Sequence, residues 1–185
     1  LLDINDIKMV LASPVIIQRH ISSFLFHYYI NEELNTFTTV TNLEDFFGVD
    51  KTQPNSCANF ISKLHTYATD IAIKSDFCRV FGNIPYSASL TIQTITGIMN
   101  EYWKSMDNLM AQYTQAFAAF ETDRNDKKAE KMMHAVYGQI LRVRRENLLS
   151  YLSEKQFIPN ANMPTGIVEF DYSDESIMTK KVDLY

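Results

Sequence analysis

The stretch that decides the fold runs from Ile92 to Phe120 and reads IQTITGIMNEYWKSMDNLMAQYTQAFAAF. Apolar side chains recur in it at alternating steps of three and four residues, which is the a/d pattern of a long helix. These positions are Ile92, Ile95, Met99, Tyr102, Met106, Leu109, Tyr113, Ala116 and Phe120. A second apolar row consists of Ile98, Trp103, Met110 and Phe117. Because this row widens the stripe beyond what one coiled-coil partner covers, we expect a helix embedded in a monomeric bundle.

The composition agrees with an all-α fold. The chain has 185 residues, 46% of them hydrophobic and 12% aromatic, which is enough for the core of one domain. Only five glycines and five prolines occur. Such scarcity favours long helices over a sandwich or barrel, because those folds need frequent turns. We therefore predict an all-α bundle of four to five main helices.

Capping and breaking residues divide the chain into helices. The predicted helices start at Pro14, at Asn42, at Ser56 (with an apolar face to Ile71 and a break at Ser75-Asp76), at Ser87 or Ser89, and at about residue 127. The last is expected to run to about residue 154. A polar link over 121–126 should fold the two long helices into an antiparallel hairpin. Residues 1–156 are thus predicted to form one bundle domain and residues 157–185 an extended tail.

Charge and cysteine content restrict the partners and the compartment. The formal net charge is −5, which argues against nonspecific binding to nucleic acid. No window approaches 18 uncharged apolar residues, so we expect no membrane span. Cys57 and Cys78 form no CxxC pair and are predicted to be reduced, partly buried thiols. We expect a cytoplasmic protein.

Residue types that could carry chemistry do not combine into a recognisable site. The four histidines, His20, His27, His65 and His134, lack the i,i+4 spacing of a helical zinc site. Cys78 lies beside Arg79, but its apolar neighbours predict burial rather than nucleophilic catalysis. The phosphate-binding, nucleophile-elbow and EF-hand motifs do not occur. We therefore predict no enzymatic activity, no cofactor and no metal.

Two features are predicted to bind a protein partner. One is the basic run Arg142, Arg144 and Arg145, which has Lys127, Lys128 and Lys131 upstream. It could meet an acidic protein surface or an anionic lipid face, although a solvated helix face would have the same composition. The other is the tail, in which Phe170, Tyr172 and Tyr185 stand among charged residues. If ordered, these aromatic side chains should be buried on the bundle or on another protein.

Part of the chain resembles a known helical module. The residues concerned are Phe24-Leu25, Tyr28-Tyr29, Phe60-Ile61, Leu64, Tyr67 and the run Phe77-Cys78-Arg79-Val80-Phe81-Gly82. Over about residues 15–83 this pattern resembles a module of cilium- and flagellum-associated structural proteins. The long loop over 35–56 and the missing calcium loops depart from that module. The resemblance implies a structural role in an axonemal or other cytoskeletal assembly.

The expected function is therefore that of a non-enzymatic scaffold or adaptor. Two alternatives stay open: a helical bundle that binds a small apolar ligand, and a viral or bacterial helical effector. A cavity enclosed by Tyr102, Trp103 and Met106 would favour the ligand-binding alternative.

Overall fold

The computed structural model describes residues 13–33, 40–82 and 84–159, and these ranges are all-α with no β-strand. The helices are α1 (Pro14–Glu33), α2 (Leu43–Phe47), α3 (Ser56–Tyr67), α4 (Ile71–Phe81), α5 (Ser89–Thr122), α6 (Lys127–Arg144) and α7 (Leu148–Glu154). The predicted all-α class is confirmed. In the described part of the chain, no helix is long and apolar enough to cross a membrane.

The helix predicted from the opening stretch is α5, which has 34 residues. Every position of its a/d row is buried or half-buried, and Tyr102 and Met106 each expose 2% of their surface. The second row is covered at its N-terminal end only. Ile98 is buried, whereas Met110 and Phe117 are 43% and 39% exposed. The far end of α5 therefore presents apolar side chains to solvent.

Aromatic rings from separate elements meet in the centre of the core. The ring of Phe26 on α1 lies 5.7 Å from Phe46 of α2, 5.4 Å from Phe60 of α3 and 6.3 Å from Phe157. All three pairs are edge-to-face, the geometry that the ring quadrupoles favour. These contacts hold the N-terminal helices to the residues that follow α7.

Phe157 is the first residue of the predicted tail, yet it is 1% exposed and belongs to the core. The chain turns back at Gln156, whose φ is +60°. The backbone N–H of Phe157 then donates to the carbonyl of Leu152 at 2.8 Å, as in a Schellman motif. The buried part of the chain thus extends past the predicted boundary at 156. Residues 160–185 of the predicted tail lie outside the described residues.

The break in the middle of the chain does not lie at Ser75-Asp76, so that prediction is wrong. α3 ends at Tyr67, and α4 begins at Ile71 after Asp70, whose carboxylate accepts from the N–H groups of the first turn. Asp70 is a strong N-cap, and it sets the start of α4. Ile71, predicted to lie on the apolar face, is 84% exposed because the new helix has a different phase.

The last predicted helix, 127–154, is divided into α6 and α7. Asn147 caps α7 by accepting from the N–H of Ser150 at 3.0 Å, much as Asn42 caps α2. The two asparagines also form an isolated antiparallel bridge. In this bridge the N–H of Leu43 donates to the carbonyl oxygen of Glu146 at 3.1 Å, and the N–H of Leu148 donates to the carbonyl oxygen of Thr41 at 3.0 Å. The starts of α2 and α7 are therefore fixed to each other.

A small polar cluster joins α1 to α5 inside the apolar core. The hydroxyls of Ser22 and Thr91 lie 3.2 Å apart, and the amide of Gln18 donates to both at 3.2 and 3.1 Å. Ser22 is 1% and Thr91 0% exposed. Because each polar group has a partner, the cluster avoids the penalty for burying an unsatisfied group and fixes the register of the two helices.

Candidate interaction surface

The residues that could have carried catalysis or bound a metal are dispersed. No group of three or more metal-ligating side chains exists among the residues that the structure describes. Cys57 is buried, and this burial raises the pKa of its thiol, which disfavours the thiolate. Cys78 is exposed, so the predicted burial of this residue is wrong. It lies on α4 on the side away from the buried Ile73 and Phe77.

The three predicted arginines do not share one face of the protein. Arg142 and Arg145 are exposed, whereas Arg144 is half-buried. The guanidinium of Arg144 lies 3.5 Å from the carbonyl oxygen of Val49, and Arg145 is the C-cap of α6. Successive helical residues are about 100° apart, so positions 142 and 144 point in different directions. The basic run is thus divided between two surface residues, Arg142 and Arg145, and one residue, Arg144, that packs against the fold.

Arg144 lies close to the buried phenol of Tyr102. Burial raises the pKa of Tyr102 to about 12, and the positive charge of Arg144 opposes that shift. The ring of Tyr102 stacks on Phe47 at 4.7 Å. The hydroxyl of Tyr102 and the Nε of Arg144 are both buried and have no hydrogen-bond partner among the described residues. Arg144 therefore belongs to the packing around α2 and α5.

A different set of side chains on α6 does share a face. The basic stripe, as we name it, consists of Lys128, Lys131, Met132 and Arg142, all of which are exposed. Residues 128 and 142 are about four turns apart, so they lie on one line along the helix. In the described part of the chain, none of these three cations has an ion-pair partner. Met132, 55% exposed, adds an apolar side chain next to Lys131 on this charged surface.

The opposite flank of the two long helices carries aromatic rings. Tyr113 of α5 lies 6.1 Å from Phe117 in a stacked pair and 5.9 Å from Tyr137 of α6. Tyr137 is 48% exposed. Tyr137 and Met132 are five residues apart, so they lie on different sides of the buried row Ala129, Val136 and Ile140. The surface of α6 thus has an aromatic flank and a basic flank.

Trp103 of the second apolar row lines an open groove of about 530 Å³. The groove lies between α5 and the segment that leads into α3, and the ion pair of Lys51 and Asp107 (2.9 Å) crosses from one to the other. Its other walls include Asn55, Met99 and Lys104. Tyr102 and Met106 are not part of the lining. The three residues named for the ligand-binding alternative therefore do not surround this groove together.

The lysines of the basic stripe could be identified from the sequence, but the exposure of Met132 and the groove at Trp103 could not. Met132 lies three residues after the buried Ala129 and four before the buried Val136, so helical spacing alone places it on the core side and gives no signal of its exposure. The groove depends on a contact between Lys51 and Asp107, which lie 56 residues apart in the chain, and local patterns carry no such information. The tail residues Phe170, Tyr172 and Tyr185 lie outside the described residues, so their predicted role stays a prediction.

Comparison with known proteins gives no match of any of the three kinds. No family model matches the chain, and neither a curated protein nor a solved structure is significantly similar to it.

Proposed function

We propose that the chain is a non-enzymatic helical scaffold or adaptor that binds acidic protein segments on the basic stripe of α6. The single observation that carries this proposal is the exposure of Lys128, Lys131 and Arg142 along one helix face with no ion pair among the described residues. A partner could bind these cations without first breaking an ion pair within the described residues. Met132 adds an exposed apolar side chain beside Lys131.

The proposal includes an arrangement that would make this face rigid: α5 and α6 as an antiparallel hairpin. Two contacts support it. Tyr113, nine residues before the end of α5, lies 5.9 Å from Tyr137, which is ten residues after the start of α6. Lys155, just past α7, forms a 2.7 Å ion pair with Glu101, which lies farther back along α5. Partners that meet at increasing distance from the link are typical of antiparallel helices.

Charge complementarity on this stripe would act mainly on association rate and specificity. Exposed ion pairs each contribute only about 0.2–1 kcal/mol, so three of them do not make a tight complex alone. An apolar contact over Met132 would add to the affinity, since apolar burial contributes about 25 cal/mol per Å². The complex should therefore weaken as salt concentration rises, because salt screens exposed charges.

The test is capture of partners from a cell extract by three forms of the full chain. The forms are the unchanged chain, the stripe variant K128E/K131E/R142E, and a control variant K74E/R79E/R124E. The control changes net charge by the same amount at exposed positions outside the stripe. We expect the stripe variant alone to lose acidic partners, as measured by quantitative mass spectrometry. Equal capture by all three forms would refute the proposal.

A second candidate function is the binding of a small ligand in the Trp103 groove. The observation that favours it is the concave surface in which the half-buried Trp103 lies beside amide and lysine side chains. Trp103 is the single tryptophan of the chain, so its fluorescence reports directly on this groove. A saturable change in emission with a small-molecule library would support this function, and an unchanged emission would count against it.

The cellular setting that we propose, a cytoskeletal or axonemal assembly, is supported by the resemblance over residues 15–83 alone. Those residues correspond to α1–α4, which contain the aromatic core around Phe26 and Phe60. Fluorescence microscopy of the tagged chain in ciliated cells would test this setting, and a diffuse distribution without ciliary signal would contradict it.

A further inference from the structure

The basic stripe has a candidate occupant within the same chain. The segment from Glu169 to Glu175 reads EFDYSDE, with acidic residues at 169, 171, 174 and 175 and aromatic rings at 170 and 172. No lysine or arginine occurs between positions 160 and 179. The segment therefore has the charge opposite to that of the stripe.

The lengths of the two surfaces agree. Lys128 and Arg142 are 14 positions apart on a helix, which is about 21 Å at 1.5 Å per residue. Glu169 and Glu175 are six positions apart, which is about 20 Å in an extended chain. An extended segment could thus place its acidic residues along the whole stripe, with one end near Arg142 and the other near Lys128.

The point at which the described chain ends also permits this contact. Lys155 is fixed to Glu101 of α5 at 2.7 Å, and the carboxylate holds the pKa of the Lys155 ammonium above its ordinary value. In the proposed hairpin, Arg142 and Met132 lie about 10 and 26 Å along the helix axis from Glu101. Glu169 is ten positions after Pro159, a distance of up to about 33 Å in an extended chain. The linker is therefore long enough for the segment to reach the stripe from the end at Arg142.

We propose that Glu169–Glu175 binds the basic stripe of its own chain and competes there with acidic partners. This inference rests on the proposed function, since it assigns an internal competitor to the same surface. An intramolecular ligand has a high effective concentration even when its intrinsic affinity is low. This acidic segment would thus occupy the stripe until a stronger or multivalent acidic partner displaces it.

The test is paramagnetic relaxation enhancement in the full chain with Cys78→Ser as background. A nitroxide at Met132→Cys should cause a loss of the amide signals of residues 169–175, whereas one at the exposed Thr114→Cys should not. The loss should disappear at about 1 M salt, where the Debye length is about 3 Å. Reversing the acidic residues (E169K/D171K/D174K/E175K) should also abolish it without any change in the described core.

The result that would overturn the inference is intact signals with the label at position 132, or equal losses with both labels. Signal loss only in mixtures of labelled and isotope-enriched chains would also overturn it, because it would identify a second copy as the occupant. The proposed function is tested separately: if the tail signals stay intact but partner capture still depends on the stripe, the inference alone is wrong. If the tail binds but capture ignores the stripe, the proposed function alone is wrong.

Discussion

Replacing Phe157 by alanine tests the packing of the chain past α7. The side chain is 1% exposed and makes edge-to-face contacts with Phe26 and Phe60, both at 6.3 Å. Burying a phenylalanine side chain contributes about 1.5–3 kcal/mol, and each aromatic pair adds about 0.5–1.5 kcal/mol. The expected loss is therefore about 4 kcal/mol, within the range of about 3–5 kcal/mol for large-to-small core substitutions of phenylalanine.

Urea unfolding followed by far-UV circular dichroism measures this loss. A domain is typically stable by about 5–15 kcal/mol, so Phe157→Ala should lower the midpoint strongly while the slope changes little. The matched control is Phe117→Ala, because Phe117 is 39% exposed and should cost much less. A loss below about 1 kcal/mol for Phe157→Ala, or one no larger than for Phe117→Ala, would refute the assignment of residue 157 to the core.

Three further predictions concern a cap, a buried hydroxyl and a histidine. Asn147→Ala should cost about 1 kcal/mol in urea unfolding because it removes the N-cap of α7, and Asn125→Ala, in the exposed link, should cost almost nothing. Tyr102→Phe should leave stability unchanged or raise it by up to about 1 kcal/mol, because its buried hydroxyl has no partner among the described residues; a clear loss would contradict this. Burial lowers the pKa of His20 below its ordinary value of 6.5, so the unfolded chain binds the proton first and stability should fall as the pH drops below about 6.5. His20→Asn should reduce that slope, and an unchanged slope would contradict the assignment.

Much of the fold could be predicted because α5 carries its own pattern. Its a/d row is long enough to identify the helix and its buried face without knowledge of the partners. The cap at Asn42 was likewise predictable, since an asparagine before an apolar run starts a helix through its own side chain. These features depend on interactions between residues that are close in the sequence, so they can be predicted from the sequence alone.

The predicted helix boundaries were wrong where tertiary contacts or competing local signals determine the structure. The break between α3 and α4 lies before Ile71 and not at Ser75-Asp76, because Asp70 caps the start of α4. As a consequence, Ile71 is exposed. The break between α6 and α7 depends on the cap at Asn147 and on its bridge to Asn42, a contact between positions far apart in the chain. Phe157 lies in the core because the backbone reverses direction at Gln156. The position with positive φ is not a glycine, so the sequence does not indicate this turn.

The candidate site was predictable in composition but not in geometry. The three arginines Arg142, Arg144 and Arg145 lie close together in the sequence, but the helix turns Arg144 away from the other two, and Arg144 packs near Tyr102. Lys128 and Lys131, which stand farther off in the chain, share a face with Arg142 because the helix repeat brings distant positions into line.

The central claim is that the basic stripe of α6 is the surface on which this chain binds acidic protein segments. Site-specific photocrosslinking tests it most directly, with a benzophenone side chain placed at Met132, at Thr114 or at Lys104 beside the Trp103 groove. The account predicts crosslinks to acidic segments, of a partner or of the chain's own residues 169–175, from position 132 only. Crosslinks from position 104 or 114 in the absence of any from position 132 would contradict it.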